Sequence, residues 1–484
     1  MSFISPEFII FAVVVLPLYF LAPFRARWPL LLIASYLFYA YGHVEYIALI
    51  AFSTTVDYFA ARGIHASGDP RRRRALLLLS VTVNLGLLFV FKYFNFAVGS
   101  LTAASDRVGV TFPVSGLELV LPIGISFYTF QSMAYTIDVY RGRIAPERHF
   151  GIMATFIAFF PQLVAGPIER AENMLPQFRQ HFRFDPDRTI SGLRLILWGM
   201  FKKVVIADRL AIYVTTVYDT PQAFSGPHLM LATAFFAFQV YCDFSAYSDI
   251  AIGTARIMGF TLMENFRQPY FAKSIREYWA RWHISLTTWF RDYLYIPLGG
   301  SRVSFPRYLL NLFIVFLVSG LWHGAGWTFV VFGMLHGLVV VIEATVTRYN
   351  LRVLPAHNPP YAVAIKIGFT FALLCVLFVC FRALTFSDAL YIWGHLLDFS
   401  GAGGGLSAPF AAGILEARVE LVLSIGLIAL LLAVDAFSAR VGFDRLFTVS
   451  PALLRWAVYY ALGGAVIFSG LYGTGAQEFI YFQF

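Results

Sequence analysis

The stretch RYLLNLFIVFLVSGLWHGAGW, from Arg307 to Trp327, decides how this chain is read. Fifteen uncharged residues, Tyr308 to Trp322, follow the arginine directly. If Arg307 marks a membrane surface, a rise of about 1.5 Å per residue carries His323 roughly 24 Å inward. That is still inside a hydrocarbon core about 30 Å thick. Gly324-Ala325-Gly326 then breaks the helix, and a second apolar run opens at Trp327. Broken backbone at that depth is tolerated only where protein or water surrounds it, so His323 is expected to face a cavity. An ionisable side chain in lipid is costly and by default marks a functional site. The competing reading is a histidine at the far interface of a short, tilted span. His336 follows in GMLHGLVV; along a regular helix it lies about 20 Å away, so it is expected to pack or hydrogen-bond outside that site.

The rest of the chain agrees with a membrane setting. Of 484 residues, 59% are hydrophobic and 13% charged, against roughly 25% charged in ordinary soluble domains. So few charges cannot cover a soluble surface of this size, which leaves an all-α polytopic membrane protein. Apolar runs recur near 7–23, 28–41, 44–61, 75–97, 118–140, 150–166, 191–216, 229–259, 308–323, 327–347, 361–383, 417–437 and 452–472. Several are short or broken, so about eleven true spans plus re-entrant or interfacial helices are expected, in one integral-membrane domain over 1–484. The opening MSFISPEFIIFAVVVLPLYFLAPFRAR has no positive charge ahead of its apolar run and no small-residue cleavage site. It reads as a retained first span with its N-terminus outside and Arg25 and Arg27 in the cytoplasm. Basic clusters at Arg62 with Arg71–Arg74, and at Arg141, Arg143 and Arg148, fit the positive-inside bias rather than nucleic-acid binding. Cys242, Cys375 and Cys380 lie in apolar stretches without a C-x-x-C pair, which points to inert thiols and no metal site. No fixed-period repeat appears, and GAGGG between Ser400 and Pro409 reads as a flexible loop.

A second segment carries chemistry: RQPYFAKSIREYWARWHISLTTWFRDYLYIPLGG, Arg267 to Gly300. Ser274-Ile-Arg-Glu277 has the capping-box pattern. Beyond it Ile275, Tyr278, Trp282, Leu286, Trp289 and Tyr293 recur every three or four residues, the aromatic face of one helix that Pro297 stops. Lys273, Arg276, Arg281, Arg291 and Arg302 flank that face, the signature of a helix lying in the membrane interface. His283 sits at the edge of the stripe, where it can cap backbone, face headgroups or line a substrate route. In FQVYCDFSAYSDIAIG, Asp243 and Asp249 point about 120° apart on a helix. They are not a shared-proton pair, and each is expected to hold a neighbouring helix or orient a tunnel residue. The chain has no G-x-S-x-G elbow, P-loop, dinucleotide fingerprint or H-E-x-x-H, so direct transfer on a histidine base is the economical mechanism.

ENFRQPYFAKSIREYWARWHISLTTWFRDYLYIPLGGSR followed by LVSGLWHGAGWTFVVFGMLHGL resembles the membrane-bound O-acyltransferase family. The match is to its bacterial branch, typified by the membrane subunit of alginate O-acetylation. QVYCDFSAYSDIAIG, LPIGISFYTFQ, FFPQLVAGPIER and FIYFQF are similar to the same branch. The resemblance implies a ring of tilted transmembrane helices around a central tunnel open on both faces, with His323 as the essential histidine and His283 at a second, more variable polar position. It also implies transfer of an acetyl group from a cytoplasmic thioester across the inner membrane to periplasmic partner proteins that decorate an exopolysaccharide. No tightly bound cofactor is expected. Trp279, Arg281, Trp282 and Arg291 are candidate donor-binding residues, the arginines near the phosphates if the donor is acetyl-CoA. The alternatives are D-alanyl or other acyl transfer to an envelope polymer, and a transporter or flippase that does no chemistry.

Overall fold

Helix, and no strand, is what the described residues form in this computed structural model, which describes residues 1–484 except 42, 111–113, 352–358, 401–404, 411–414, 473–477 and 481–484. In chain order the helices begin with α1 (Pro6–Leu21), α2 (Phe24–Ala40), α3 (Tyr46–Ala66), α4 (Pro70–Leu88), α5 (Phe94–Arg107), α6 (Ile125–Tyr140), α7 (Phe150–Ala158), α8 (Ala171–Gln177), α9 (Pro186–Met200) and α10 (Asp208–Asp219). There follow α11 (Gly226–Met258), α12 (Ile275–Arg281), α13 (Ile284–Phe290), α14 (Phe305–His323), α15 (Trp327–Arg348), α16 (Pro360–Arg382), α17 (Phe386–His395), α18 (Ala417–Val441), α19 (Phe443–Thr448) and α20 (Ala452–Ser469). Wider π-helical turns at Phe89–Tyr93 and Phe201–Ala207 join α4 to α5 and α9 to α10, and a third at Arg291–Tyr295 continues α13. Several starts are set by side chains that satisfy the free amides of the first turn. Asp69 accepts from the amides of Arg71 and Arg72 ahead of Pro70, and Thr385 accepts from Asp388.

Eight helical stretches among the described residues are long and apolar enough to cross a membrane: α3, α4 with α5, α11, α14, α15, α16, α18 and α20. The chain is a multi-pass membrane protein. Five of the thirteen apolar runs are not among these eight: 7–23 and 28–41 give α1 and α2, of 16 and 17 residues, and three others behave differently from simple spans. The run 118–140 contributes α6, which is buried along nearly all its length; 150–166 gives the nine-residue α7 and an irregular stretch; and 191–216 becomes the α9–α10 rod, interrupted by charged Lys202, Lys203, Asp208 and Arg209. The loop expected around GAGGG falls mostly on 401–404, outside the described residues, as do the last four residues of FIYFQF.

By internal contacts the chain divides into two compact units, Met1–Ile196 with Ile250–Met263, and Leu197–Asp249 with Glu264–Phe484. In the first, α3, α4 and α6 enclose Asp57, which receives hydrogen bonds from Ser80 Oγ (2.5 Å) and Asn84 Nδ2 (3.0 Å). The motif FFPQLVAGPIER lies in its interior: Phe159 packs on Phe260 with tilted rings whose centres are 5.0 Å apart, and buried Glu169 accepts from the Met263 amide and Asn173 Nδ2. The second unit holds the histidine segments. There α14 and α15 pack as an antiparallel hairpin, crossing where Gly320 faces Gly333. A Cβ on Gly333 would stand 2.5 Å from the Phe316 carbonyl oxygen, so only glycine permits this approach.

Candidate functional site

The hairpin turn places the first histidine. His323 is the last residue of α14, Gly324–Gly326 reverse the chain, and α15 returns alongside. Gly324 is required at the turn, because a Cβ there would run into the Phe329 ring. His323 is buried, with Trp322, Phe381 and Phe332 ring centres at 5.0, 5.4 and 5.9 Å. The expected break at 324–326 is therefore present, and the imidazole sits against protein rather than lipid.

The reversal corrects the expectation for His336. Because α15 runs back past His323, Phe332 touches both imidazoles, 5.9 Å from His323 and 4.2 Å from His336. The two histidines are thus no further apart than those two steps together, far less than a straight helix implies. His336 bonds the Phe332 carbonyl oxygen through Nδ1 (3.0 Å) and packs on Trp279 (5.3 Å). It forms the layer behind the site.

The second histidine is placed by a break the aromatic periodicity concealed. A single helix was expected from Ser274 to Pro297, yet α12 ends at Arg281 and α13 begins at Ile284. The cause is residues 264–268, which pair back across the gap. Phe266 forms an isolated antiparallel bridge with Trp282, the Arg267 amide donates to the Arg281 carbonyl (2.9 Å), and the Ile284 amide donates to the Asn265 carbonyl (3.0 Å). Trp282 becomes extended and His283 takes a left-handed conformation at φ 43 and ψ 54. A non-glycine residue held there carries strain, which clusters at functional sites. The capping box is half formed: Ser274 Oγ accepts from the Glu277 amide (3.1 Å), while the Glu277 carboxylate reaches the Lys273 amide (2.9 Å).

His283 and His323 come together around one indole. Trp322 lies 5.9 Å from His283 and 5.0 Å from His323, and Phe244 of α11 stands edge-on to His283 at 4.6 Å. His283 is fully buried. Burial, aided by charge on His323, holds its imidazole well below the ordinary histidine value, so it is neutral at physiological pH.

The candidate donor-binding residues separate into two groups. Trp279 and Trp282 are buried, Trp279 against Phe316 and His336, Trp282 against Phe266 and Tyr278. Arg281 is half-buried and bonds Glu277 (2.7 Å), whereas Arg291 is exposed and pairs with Asp292 (2.8 Å). Trp279 and Trp282 therefore line the aromatic interior and the arginines its outer side.

Sequence reading missed Lys202, Lys203 and Asn265. The signal for the lysines was present, as two adjacent cations in the apolar run FKKVVIA. Lys203 Nζ lies 2.6 Å from Asp243 and 2.8 Å from Asp208, and Lys202 Nζ lies 2.8 Å from Asp249. Each aspartate thus holds a neighbouring element, as expected. Asn265 Oδ1 accepts from Ser285 Oγ (2.7 Å) and its Nδ2 donates to Ser248 Oγ (3.2 Å), tying the His283 loop to α11. Among the described residues no group of His, Cys, Asp and Glu is arranged to hold a metal ion.

The family model for membrane-bound O-acyltransferases matches residues 148–385. The probable alginate O-acetylase of Pseudomonas putida is 41% identical over 403 residues, covering 82% of this chain and 81% of that protein. That of Pseudomonas aeruginosa is 41% identical over 402 residues, covering 82% and 75%. The peptidoglycan O-acetyltransferase of Helicobacter pylori is 35% identical over 414 residues, covering 79% and 77%.

Proposed function

The chain belongs to the membrane-bound O-acyltransferase family, and from that premise we propose that this O-acyltransferase moves acetyl groups from a cytoplasmic thioester, acetyl-CoA or another, across the inner membrane for O-acetylation of an alginate-type exopolysaccharide. In this reading residues 1–484 act as one integral-membrane domain, and the acetyl group passes to periplasmic partner proteins. The names of the relatives support acetyl over D-alanyl transfer and support chemistry over a flippase.

The observation that carries the reading is two imidazoles, one from the α14 turn and one from the strained start of α13, meeting around Trp322 in a buried aromatic box. An acetyl thioester reacts with a hydroxyl only when the oxygen is made nucleophilic, and a positioned imidazole supplies this by taking the proton as the oxygen attacks. His323 is the general base. The tetrahedral intermediate collapses, the C–S bond breaks, and the departing thiolate recovers the proton from the imidazolium. An alcohol and a thioester thereby become an ester and a thiol. Neutral His283 accepts a hydrogen bond and orients the reacting group. Trp279 and Trp282 shape the apolar wall, and Arg281 and Arg291 flank the donor's phosphates where the donor is acetyl-CoA.

The test uses the full-length protein with labelled acetyl-CoA in membranes, scoring thiol release and label on polymer. His323→Ala is expected to insert at wild-type level and lose transfer by about 10²–10⁴-fold, the usual contribution of a positioned acid–base group. Wild-type turnover in that variant would remove His323 from the chemistry. A wild-type protein that binds the thioester and never consumes it would favour transport.

A further inference from the structure

The motif QVYCDFSAYSD on α11 presents three different sides to three different partners. At about 100° per residue, positions four apart share a side of a helix. Tyr241, Ser245 and Asp249 form one row: Tyr241 Oη donates to Asp435 Oδ2 (2.8 Å), and Lys202 Nζ meets both Ser245 Oγ (2.6 Å) and Asp249 (2.8 Å). Asp243 and Tyr247 form a second row. Asp243 takes Lys203 Nζ at 2.6 Å and the Ile480 amide at 2.7 Å, and Tyr247 packs on Phe479 at 5.1 Å. Phe244 and Ser248 form the third, which faces the His283 loop through the Phe244 ring and the Ser248–Asn265 bond.

The first two rows grip α11 from two sides through adjacent lysines on the π turn Phe201–Ala207. Lys203, Asp208 and Asp243 are all buried, so their geometry is fixed by short charge-assisted contacts that tolerate little rotation. The backbone of residues 478–480 closes this grip: Lys203 Nζ also reaches the Glu478 carbonyl oxygen (3.4 Å) and stands over the Phe479 ring at 4.5 Å. With two rows locked, the third has one orientation available.

We infer that Lys202 and Lys203 are positioning residues for acyl transfer, a two-point clamp that fixes the rotation of α11 and so holds Phe244 and Ser248 against the His283 loop. The inference rests on the proposed role of His283, and residues 241–249 contribute no reacting group themselves. The left-handed backbone of His283 needs such support, because strained conformations persist only where surrounding contacts over-determine them.

The clamp is tested by removing its charges together, since removing one partner leaves the others buried and unpaired. The neutral variant Lys203→Met/Asp208→Asn/Asp243→Asn is expected to insert and melt like wild type. Its kcat is expected to fall at least about tenfold, with donor KM within about twofold, because a misplaced site loses rate before it loses binding. Combining it with Phe244→Leu is expected to give no further loss, as both act through one contact. If the triple variant does not insert, Lys202→Met/Asp249→Asn removes the second anchor and is read the same way. Wild-type kcat in a normally inserted neutral variant overturns the clamp. His283→Asn in the same assay separates the two levels. An impaired His283 variant beside an unimpaired clamp variant refutes the clamp alone, whereas wild-type kcat in His283→Asn refutes the role of His283 and the clamp with it.

Discussion

Gly333→Ala pits two effects of opposite sign against each other. In an open helix the change stabilises by up to about 1 kcal/mol, because alanine is the better helix former. At position 333 the new Cβ would stand 2.5 Å from the Phe316 carbonyl oxygen and 3.0 Å from the Gly320 Cα. Both are backbone atoms, so no rotamer change relieves the contact. Ordinary van der Waals separation is reached only if α15 moves away from α14 by roughly 1 Å, and overpacking of this kind costs about 1–3 kcal/mol. Crowding therefore wins, and the net effect is destabilising by up to about 2 kcal/mol. The displacement also reaches the site, since Phe332 is the adjacent residue and contacts His323 at 5.9 Å. A shift of about 1 Å in a positioned catalytic group costs on the order of 10²-fold in rate. The assay is thermal melting and thioester turnover of purified full-length protein, with Gly426→Ala as control. Gly426 lies within α18 with nothing within 4 Å of its Cβ position, so its substitution is expected to leave turnover unchanged and stability equal or raised. If Gly333→Ala melts and turns over like Gly426→Ala, the hairpin crossing does not set the position of His323.

His283 yields two further expectations. Its φ of 43 suits asparagine and is hostile to a β-branched side chain. His283→Asn should therefore reach the membrane at wild-type level with turnover reduced but measurable, while His283→Val should also lose stability; equal membrane levels and melting for the two would argue against backbone strain at that position. The pH dependence of stability follows from its lowered basicity. The unfolded chain binds a proton near pH 6.5 and the folded site does not, so this contribution is complete above that value and is lost as pH falls toward the folded value. Wild-type melting temperature should drop with acidification below about pH 6.5, and His283→Asn should flatten that drop in the same buffers; parallel curves would show that His283 carries none of it.

The membrane setting and the break at His323 were legible because they rest on local signals, an uncharged run ending at His323 and a Gly-Ala-Gly turn, whereas His283 was singled out as a site residue only through the family resemblance. Asp243 and Asp249 were readable as separate anchors, because helix geometry alone points them apart. Three features were hidden, each for a non-local reason. The split of the aromatic helix at His283 depends on residues 264–268 pairing across it, and periodicity continues undisturbed over such a break. The approach of His336 to the site depends on the hairpin reversing direction, which spacing along a straight helix cannot express. Lys202 and Lys203 sat in an apolar run; Asp208 lies only five residues from Lys203, but their partners Ser245, Asp249 and Asp243 lie some forty residues or more away on α11.

Why such charges are retained follows from where the helices pack. Between helices in lipid the hydrophobic effect gives no preference for one contact over another, because lipid chains are as apolar as leucine. Orientation must come from small-residue contacts and polar pairs. Both devices occur here, and they act on different helices. Glycine contact sets the α14–α15 crossing and with it His323, whereas ion pairs set α11, whose apolar window is 78% buried against 6% for α20. The exposed surface of α20 needs no rotational index, since one apolar face serves as well as another toward lipid. For α11 a rotation would carry Phe244 and Ser248 away from the His283 loop, so an apolar helix of equal stability would hold the fold without holding the site. A buried ion pair is poor evidence for stability but a good device for fixing register. That distinction is why the neutral clamp variant is expected to keep its melting temperature while losing rate.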